Sequence, residues 1–167
     1  MKQILTMLVV ACTFTATAQT YSPSERDIKF AKKATMGGLM EIQLGEMAQS
    51  HAVTPEVKEE AQHMVKDHRL ANEELKDIAV RKNIVLPSVL DSKMQEKYDK
   101  LSKFNGKKFD KKYTRCMIKD HKKAICLFKK EAKKGTDTEM KTWASAKVPT
   151  LKNHLKMWKE ACKAARM

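Results

Sequence analysis

Apolar residues recur at three- and four-residue spacing along four long stretches of the chain, and no stretch shows the strict alternation of a strand. The first stretch starts near Ser24, a good N-cap followed by Glu25 and Asp27 in the opening turn, and runs to about Gln49. The second opens with Thr54 as cap and Pro55 at the first helical position, and runs to about Lys82. A connection follows from Asn83 to Gly106, holding "NIVLPSVLD", a short amphipathic helix near Ser92 to Lys103, and the loop "FNG". The third long helix spans about Lys107 to Lys134 and stops at Gly135, placed as a helix-closing glycine. Thr136 or Asp137 caps the fourth, which continues to about Lys163 and carries Pro149, expected to kink it. The fold class this predicts is all-α. Two helical hairpins joined by a long crossover containing a short helix have the connectivity of a ferritin-like four-helix bundle.

The same periodicity sorts the histidines. His68 shares its face with Ala61, Met64, Val65, Ala71 and Leu75; His121 with Met117, Ile118, Ala124, Ile125 and Phe128; His154 with Leu151, Met157, Trp158 and Ala161. All three are expected to point inward. His63 keeps company with Glu59, Glu60 and Asp67, and His51 lies near a helix end, so both read as surface. The first helix has no inward histidine, but it places Glu41 on its apolar face among Ala34, Gly37, Gly38, Leu44, Gly45 and Ala48. A buried glutamate is costly unless paired or bound. Each glycine in a helix interior also sacrifices about 0.5–1 kcal/mol relative to alanine, so three of them imply a demand for space. That demand is either close packing against a bulky neighbour such as Trp158 or room for a ligand. At about 1.5 Å of rise per residue, Glu41, His68, His121 and His154 all fall within a few ångströms of mid-bundle.

One carboxylate and three imidazoles at one level suit a transition metal such as copper, zinc or iron, with Glu41, His68, His121 and His154 as the candidate ligands. Met64 and Met117 stand one turn before two of the histidines, and thioether sulfur there would favour copper; ordinary core packing explains them equally. The di-iron ferritin pattern is not met, because Val65 and Leu151 occupy the positions three residues before His68 and His154 where it needs glutamates. The competing reading is a metal-free polar network in which Glu41 accepts hydrogen bonds from the histidines. Neither reading requires catalysis. Asp67 and Asp120 precede two of the histidines directly, and adjacent helical residues do not face one another, so both are expected in solvent.

Two of the histidines lie in a near repeat: "MVKDHRLA" from Met64 and "MIKDHKKA" from Met117. The copies fall on the second and third long helices, in different hairpins, so they mark equivalent bundle positions without establishing duplication of a whole hairpin.

Composition supports the helical reading: 42% hydrophobic and 32% charged, with five glycines and four prolines in 167 residues. The amino terminus stands apart. Lys2, an apolar run from Ile4 to Ala16, and Ala16-Thr17-Ala18 form a secretory signal peptide over residues 1–18, leaving residues 19–167 as one domain. Export to the periplasm or the exterior is the expectation, with no membrane span in the mature chain. The alternative is a lipoprotein, since Val9-Val10-Ala11-Cys12 loosely fits a lipidation box at Cys12. An oxidising compartment permits disulfides. Cys116 and Cys126 sit about 15 Å apart along one helix and cannot pair, whereas either could meet Cys162. Three unpaired thiols are the other possibility.

Charge divides the chain. Residues 19–92 carry 10 basic and 12 acidic side chains, and residues 93–167 carry 23 and 8. Export and the lack of a binding motif argue against nucleic acid. Anionic lipid headgroups or cell-surface polysaccharide are the partners this excess suits, unless it only solvates the surface.

The segments "FAKKATMGGLMEIQLGEMA", "VKEEAQHMVKDHRLANEEL", "LPSVLD", "FDKKYTRCMIKDHKKAICLF" and "VPTLKNHLKMW" resemble the bacterial family catalogued as domain of unknown function 4142, over about Asp27 to Trp158. The resemblance implies a ferritin-like, often exported protein, sometimes labelled an outer-membrane one. It implies recurrent positions at Glu41, His68, Asp110, His121 and His154, and no settled activity. The lysine excess departs from the family's usual pattern.

Overall fold

The computed structural model describes residues 23–166. The signal-peptide cleavage site and Cys12 lie outside them. Five helices follow in order: α1 (Glu25–His51), α2 (Pro55–Arg81), α3 (Ser92–Ser102), α4 (Gly106–Lys134) and α5 (Thr138–Ala164). No strand occurs among the described residues, and no helix there is long and apolar enough to cross a membrane.

α1 packs along α2 and α4 along α5, making two hairpins; α1 also meets α4, and α5 meets α2. The crossover carries α3, which lies against α1 and α4. This is a four-helix bundle with the ferritin-like connection order. α1 starts with a capping box: the Asp27 amide donates to Ser24 Oγ at 3.3 Å, and the Ser24 amide donates back to Asp27 Oδ2 at 2.8 Å. Asp91 and Asp137 cap α3 and α5 in the ordinary way, through the amides of Met94 and Met140. Pro149 lies inside α5, which continues through it.

Thr54 behaves differently from the expected cap. Its side chain makes no capping bond on α2; the hydroxyl donates to the buried Asp110 of α4, a stronger acceptor, and its amide donates to Asp110 Oδ2 at 2.9 Å. The mirror arrangement closes the other end of the bundle. There Asp27 of α1 accepts from the Thr136 hydroxyl and, at 2.9 Å, from the Thr136 amide in the α4–α5 turn. Each hairpin's first helix thus holds the turn of the other hairpin. These contacts also show that α2 and α4 begin at one end of the bundle, and α1 and α5 at the other.

Gly135 closes α4 without the expected left-handed backbone, at φ −61°. What it supplies is space, since a Cβ there would stand 2.9 Å from the Glu131 carbonyl oxygen and 2.6 Å from its carboxylate.

The core has two parts. Toward the Thr54 end, Leu44, Val57, Met64, Tyr113, Met117 and Trp158 form one apolar cluster; toward the Asp27 end, Phe30, Leu75, Ile78, Phe128, Met140 and Leu151 form another. On every long helix the residue between the two clusters is polar: Glu41, His68, His121 or His154.

Candidate metal centre

Each of the four bundle helices contributes one buried side chain to this middle layer: Glu41 from α1, His68 from α2, His121 from α4 and His154 from α5. None is more than 9% exposed. Helical spacing puts each on the same stripe as the hydrophobic residues above and below it, so forming the core brings them together.

The three imidazoles form a triangle, with ring centroids 5.5 Å apart for His121 and His154, 5.7 Å for His68 and His154, and 5.9 Å for His68 and His121. One ring nitrogen from each lies within 4.8 Å of the others. Glu41 stands against two of them, with Oε2 at 2.8 Å from His68 Nε2 and Oε1 at 3.4 Å from His121 Nδ1. His121 Nδ1 also lies 3.0 Å from the Met117 carbonyl oxygen. A proton on Nδ1 serves these acceptors and leaves a lone pair on Nε2, which is buried and has no hydrogen-bond partner. His154 repeats the device with the nitrogens exchanged: Nε2 lies 3.0 Å from Asp67 Oδ2, and the buried Nδ1 has no partner.

This placement of Asp67 corrects the expectation that it faces solvent. Its side chain is 44% exposed, yet it reaches across from α2 to α5, because the flank of the His68 face is where those helices meet. Asp120 is also engaged, pairing with Lys97 of α3 and accepting from Cys116 Sγ at 3.4 Å.

Protonation follows from these contacts. Burial alone would raise the Glu41 carboxyl, but His68 and His121 outweigh it and hold it at about 2. Burial opposes a charge on His68, and the Glu41 carboxylate more than restores it, so His68 is raised. His154 is driven down to about 4, by burial first and then by its two imidazole neighbours, against the pull of Asp67. The layer therefore offers a carboxylate, an imidazole whose proton that carboxylate favours and a bound metal would displace, and an imidazole that burial keeps neutral. Three inward nitrogens with carboxylates behind them are the donor set that borderline divalent or monovalent transition metals take, and the outer carboxylates are what normally orient such ligands.

The remaining candidates fall elsewhere. Met64 and Met117 are fully buried in the cluster below the histidines with Tyr113 and Trp158. Asp110 lies away from the layer, in the clamp on Thr54. His63 is 53% exposed, and His51 rests on Phe109 at the end of α1. Cys116, Cys126 and Cys162 are free thiols. Burial raises the Cys116 thiol to about 11, with the Asp120 charge adding to the effect.

Two of the three glycines are explained by α2. A Cβ on Gly45 would come within 2.6 Å of Val65 and 2.9 Å of the Ala61 carbonyl oxygen, and one on Gly38 would meet the Asn72 amide. The neighbour is therefore not Trp158. A Cβ on Gly37 would meet nothing within 4 Å. Gly37 borders a cavity of about 1010 Å³ that is lined from all five helices and reaches Glu41, His68 and His154.

The sequence matches the family model of a domain of unknown function, DUF4142, over residues 12–161. The chain belongs to that family. No curated protein sequence matches it significantly. Among solved structures, a DUF305 fragment from Deinococcus radiodurans superposes with a TM-score of 0.75 at 12% identity, covering 88% of this chain and all of the fragment. CopM in its Cu(I)-bound form gives a TM-score of 0.67 at 21% identity, with 80% of this chain and 93% of CopM covered. Its Cu(II)-bound form gives 0.65 at 19%, with 82% and 95% covered. These likenesses establish a shared helical-bundle fold for this DUF4142 protein.

Proposed function

We propose that the bundle binds a transition-metal ion, copper before zinc or iron, in its middle layer. The observation that carries this is the triangle of His68, His121 and His154, with buried, unpartnered nitrogens on His121 and His154. A buried polar atom with no partner costs about 1–3 kcal/mol, which a metal bond would relieve. His68, His121 and His154 would hold the ion; Glu41 would neutralise it, as a ligand or through His68 and His121, and Asp67 would orient His154. Met64 and Met117 lie one turn away in the apolar cluster, and would supply thioether sulfur to Cu(I) only by turning toward the layer. Two similarly folded structures are copper-bound forms of CopM, which favours copper as the first ion to test.

Metal analysis after loading and desalting should return stoichiometric copper for the wild type and almost none for a His68→Ala, His121→Ala double variant. Failure to retain copper, zinc or iron stoichiometrically would remove the proposal. The second reading, a metal-free polar network in an envelope protein, is favoured by the contacts Glu41 already makes with His68 and His121. It predicts a bundle whose melting temperature does not respond to metal. In either case we place the protein in the periplasm or outside the cell, with its basic half free to meet anionic lipid or polysaccharide; amino-terminal sequencing of the mature protein tests the export.

A further inference from the structure

The cavity bordered by Gly37 is larger than a single metal ion requires. At about 1010 Å³ it reaches the upper end of the range usual for small-molecule sites. Its walls are of two kinds. Toward the Asp27 end they are apolar, made by Leu127, Phe128, Trp143 and Leu151. They also carry lysines from four helices: Lys119 and Lys123 flank His121 near mid-bundle, α3 adds Lys93, Lys97 and Lys100, and Lys33 and Lys147 stand nearer the apolar end, Lys147 over the Trp143 ring. Lys97, Lys100 and Lys147 are paired with Asp120, Glu96 and Glu74. Lys33, Lys93, Lys119 and Lys123 are exposed and have no carboxylate within 4.0 Å among the described residues. The acidic groups at the inner wall are already engaged, Glu41 with His68 and Asp67 with His154. The cavity therefore presents uncompensated positive charge around Lys119 and Lys123 beside a hydrocarbon wall of Leu127, Phe128 and Leu151.

We infer that this cavity binds a single-chain amphipathic anion, a medium-chain carboxylate, with its tail against Phe128, Trp143 and Leu151 and its carboxylate between Lys119 and Lys123. Trp143 and Leu151 are eight residues apart on α5, about 12 Å of helix, which suits a medium chain. Small residues keep the space clear, among them Ala34, Gly37 and Ala124. The inference is independent of the metal reading, since nothing in it requires an occupied metal site.

Decanoate, held below its micelle-forming concentration, is the probe. The full mature protein, both chelator-stripped and copper-loaded, should bind it saturably by calorimetry, with a change in tryptophan emission that disappears in Trp143→Phe while binding persists. Gly37→Leu fills open space on a helix and should keep the native melting temperature or raise it, while weakening decanoate by about tenfold or more. Lys119→Gln with Lys123→Gln should weaken decanoate several-fold and leave the weaker binding of decanol unchanged. Unsaturable decanoate binding, wild-type affinity in a folded Gly37→Leu, or equal affinity for decyltrimethylammonium would overturn the inference. So would a response to anionic phospholipid vesicles with none to monomeric decanoate, which would assign the lysines to a membrane surface. Binding by the stripped protein separates this result from any failure of the metal site.

Discussion

Asp110 does at one end of the bundle what Asp27 does at the other: each leaves its own hairpin to accept the hydroxyl and the amide of a threonine in the opposite hairpin's turn. Both carboxylates are fully buried. Burial opposes the charge on Asp27, and the hydrogen bonds from Thr136 and Ser24 override it, holding that carboxyl well below the usual range. These are charge-assisted bonds in a dry setting, where removing one partner strands the other.

Asp110→Ala should cost about 2–4 kcal/mol of stability in urea unfolding, because it strands the Thr54 amide and hydroxyl together. Asp27→Ala should cost a comparable amount. The two sites are separated by roughly the length of a 27-residue helix, about 40 Å, so the losses should add in the double variant. A marked departure from additivity would mean that the ends communicate through the hairpins.

The glycines of α1 should respond in opposite directions. Gly37→Ala adds a methyl group to open space and should stabilise by about 0.5–1 kcal/mol through helix propensity alone. Gly45→Ala forces a methyl against the α2 backbone at Ala61 and should destabilise by about 1–3 kcal/mol. Thermal melts of the two variants beside the wild type decide it.

Stability should fall between about pH 5 and pH 8 at the Asp27 end. Burial, reinforced by the hydrogen bond and charge of Asp27, raises the Glu131 carboxyl to about 7 from its ordinary 4.5. A group whose native pKa is raised binds its proton more tightly folded than unfolded, so its contribution is complete below the unfolded value and is lost as pH rises through the native one. Glu131→Gln, which mimics the protonated form, should leave stability near pH 5 unchanged and flatten the decline toward pH 8. Some slope should survive, since burial also raises Glu60 to about 7, helped by Asp67.

Copper should raise the melting temperature of the wild type in proportion to the logarithm of its free concentration, as for any ligand of the native state. Asp67→Asn retains the shape but removes the charge behind His154, and should weaken copper by about 10–100-fold without abolishing it. His121→Ala should abolish the thermal shift. A shift that is the same in all three proteins would place any copper outside the middle layer.

What the sequence made legible was local. Helical periodicity is enough to bring Glu41, His68, His121 and His154 inward, and the rise per residue is enough to put them at one height, because both quantities belong to single helices. Asp67 could not be read in this way. Its neighbour His68 defines the inward face, and only the closeness of α2 to α5 turns a flanking carboxylate into the partner of His154. The same holds for Asp27 and Asp110, whose threonines lie 109 and 56 residues away. Gly45 looked like space for a ligand or a tryptophan and is where Ala61 comes close. Gly37, indistinguishable from it in the sequence, is the one where an added Cβ would meet nothing within 4 Å.

The division of the core by its polar layer also sets where the hairpins stop along each other. Sliding one past the other by a single helical turn, about 5.4 Å, would carry Glu41 off His121 and Asp67 off His154, and set the polar residues of each hairpin against the hydrocarbon of the other. Two uniformly oily hairpins could accommodate such a slip. Here the layer acts as a tooth in a notch, indexing the bundle along its length whether or not an ion sits there.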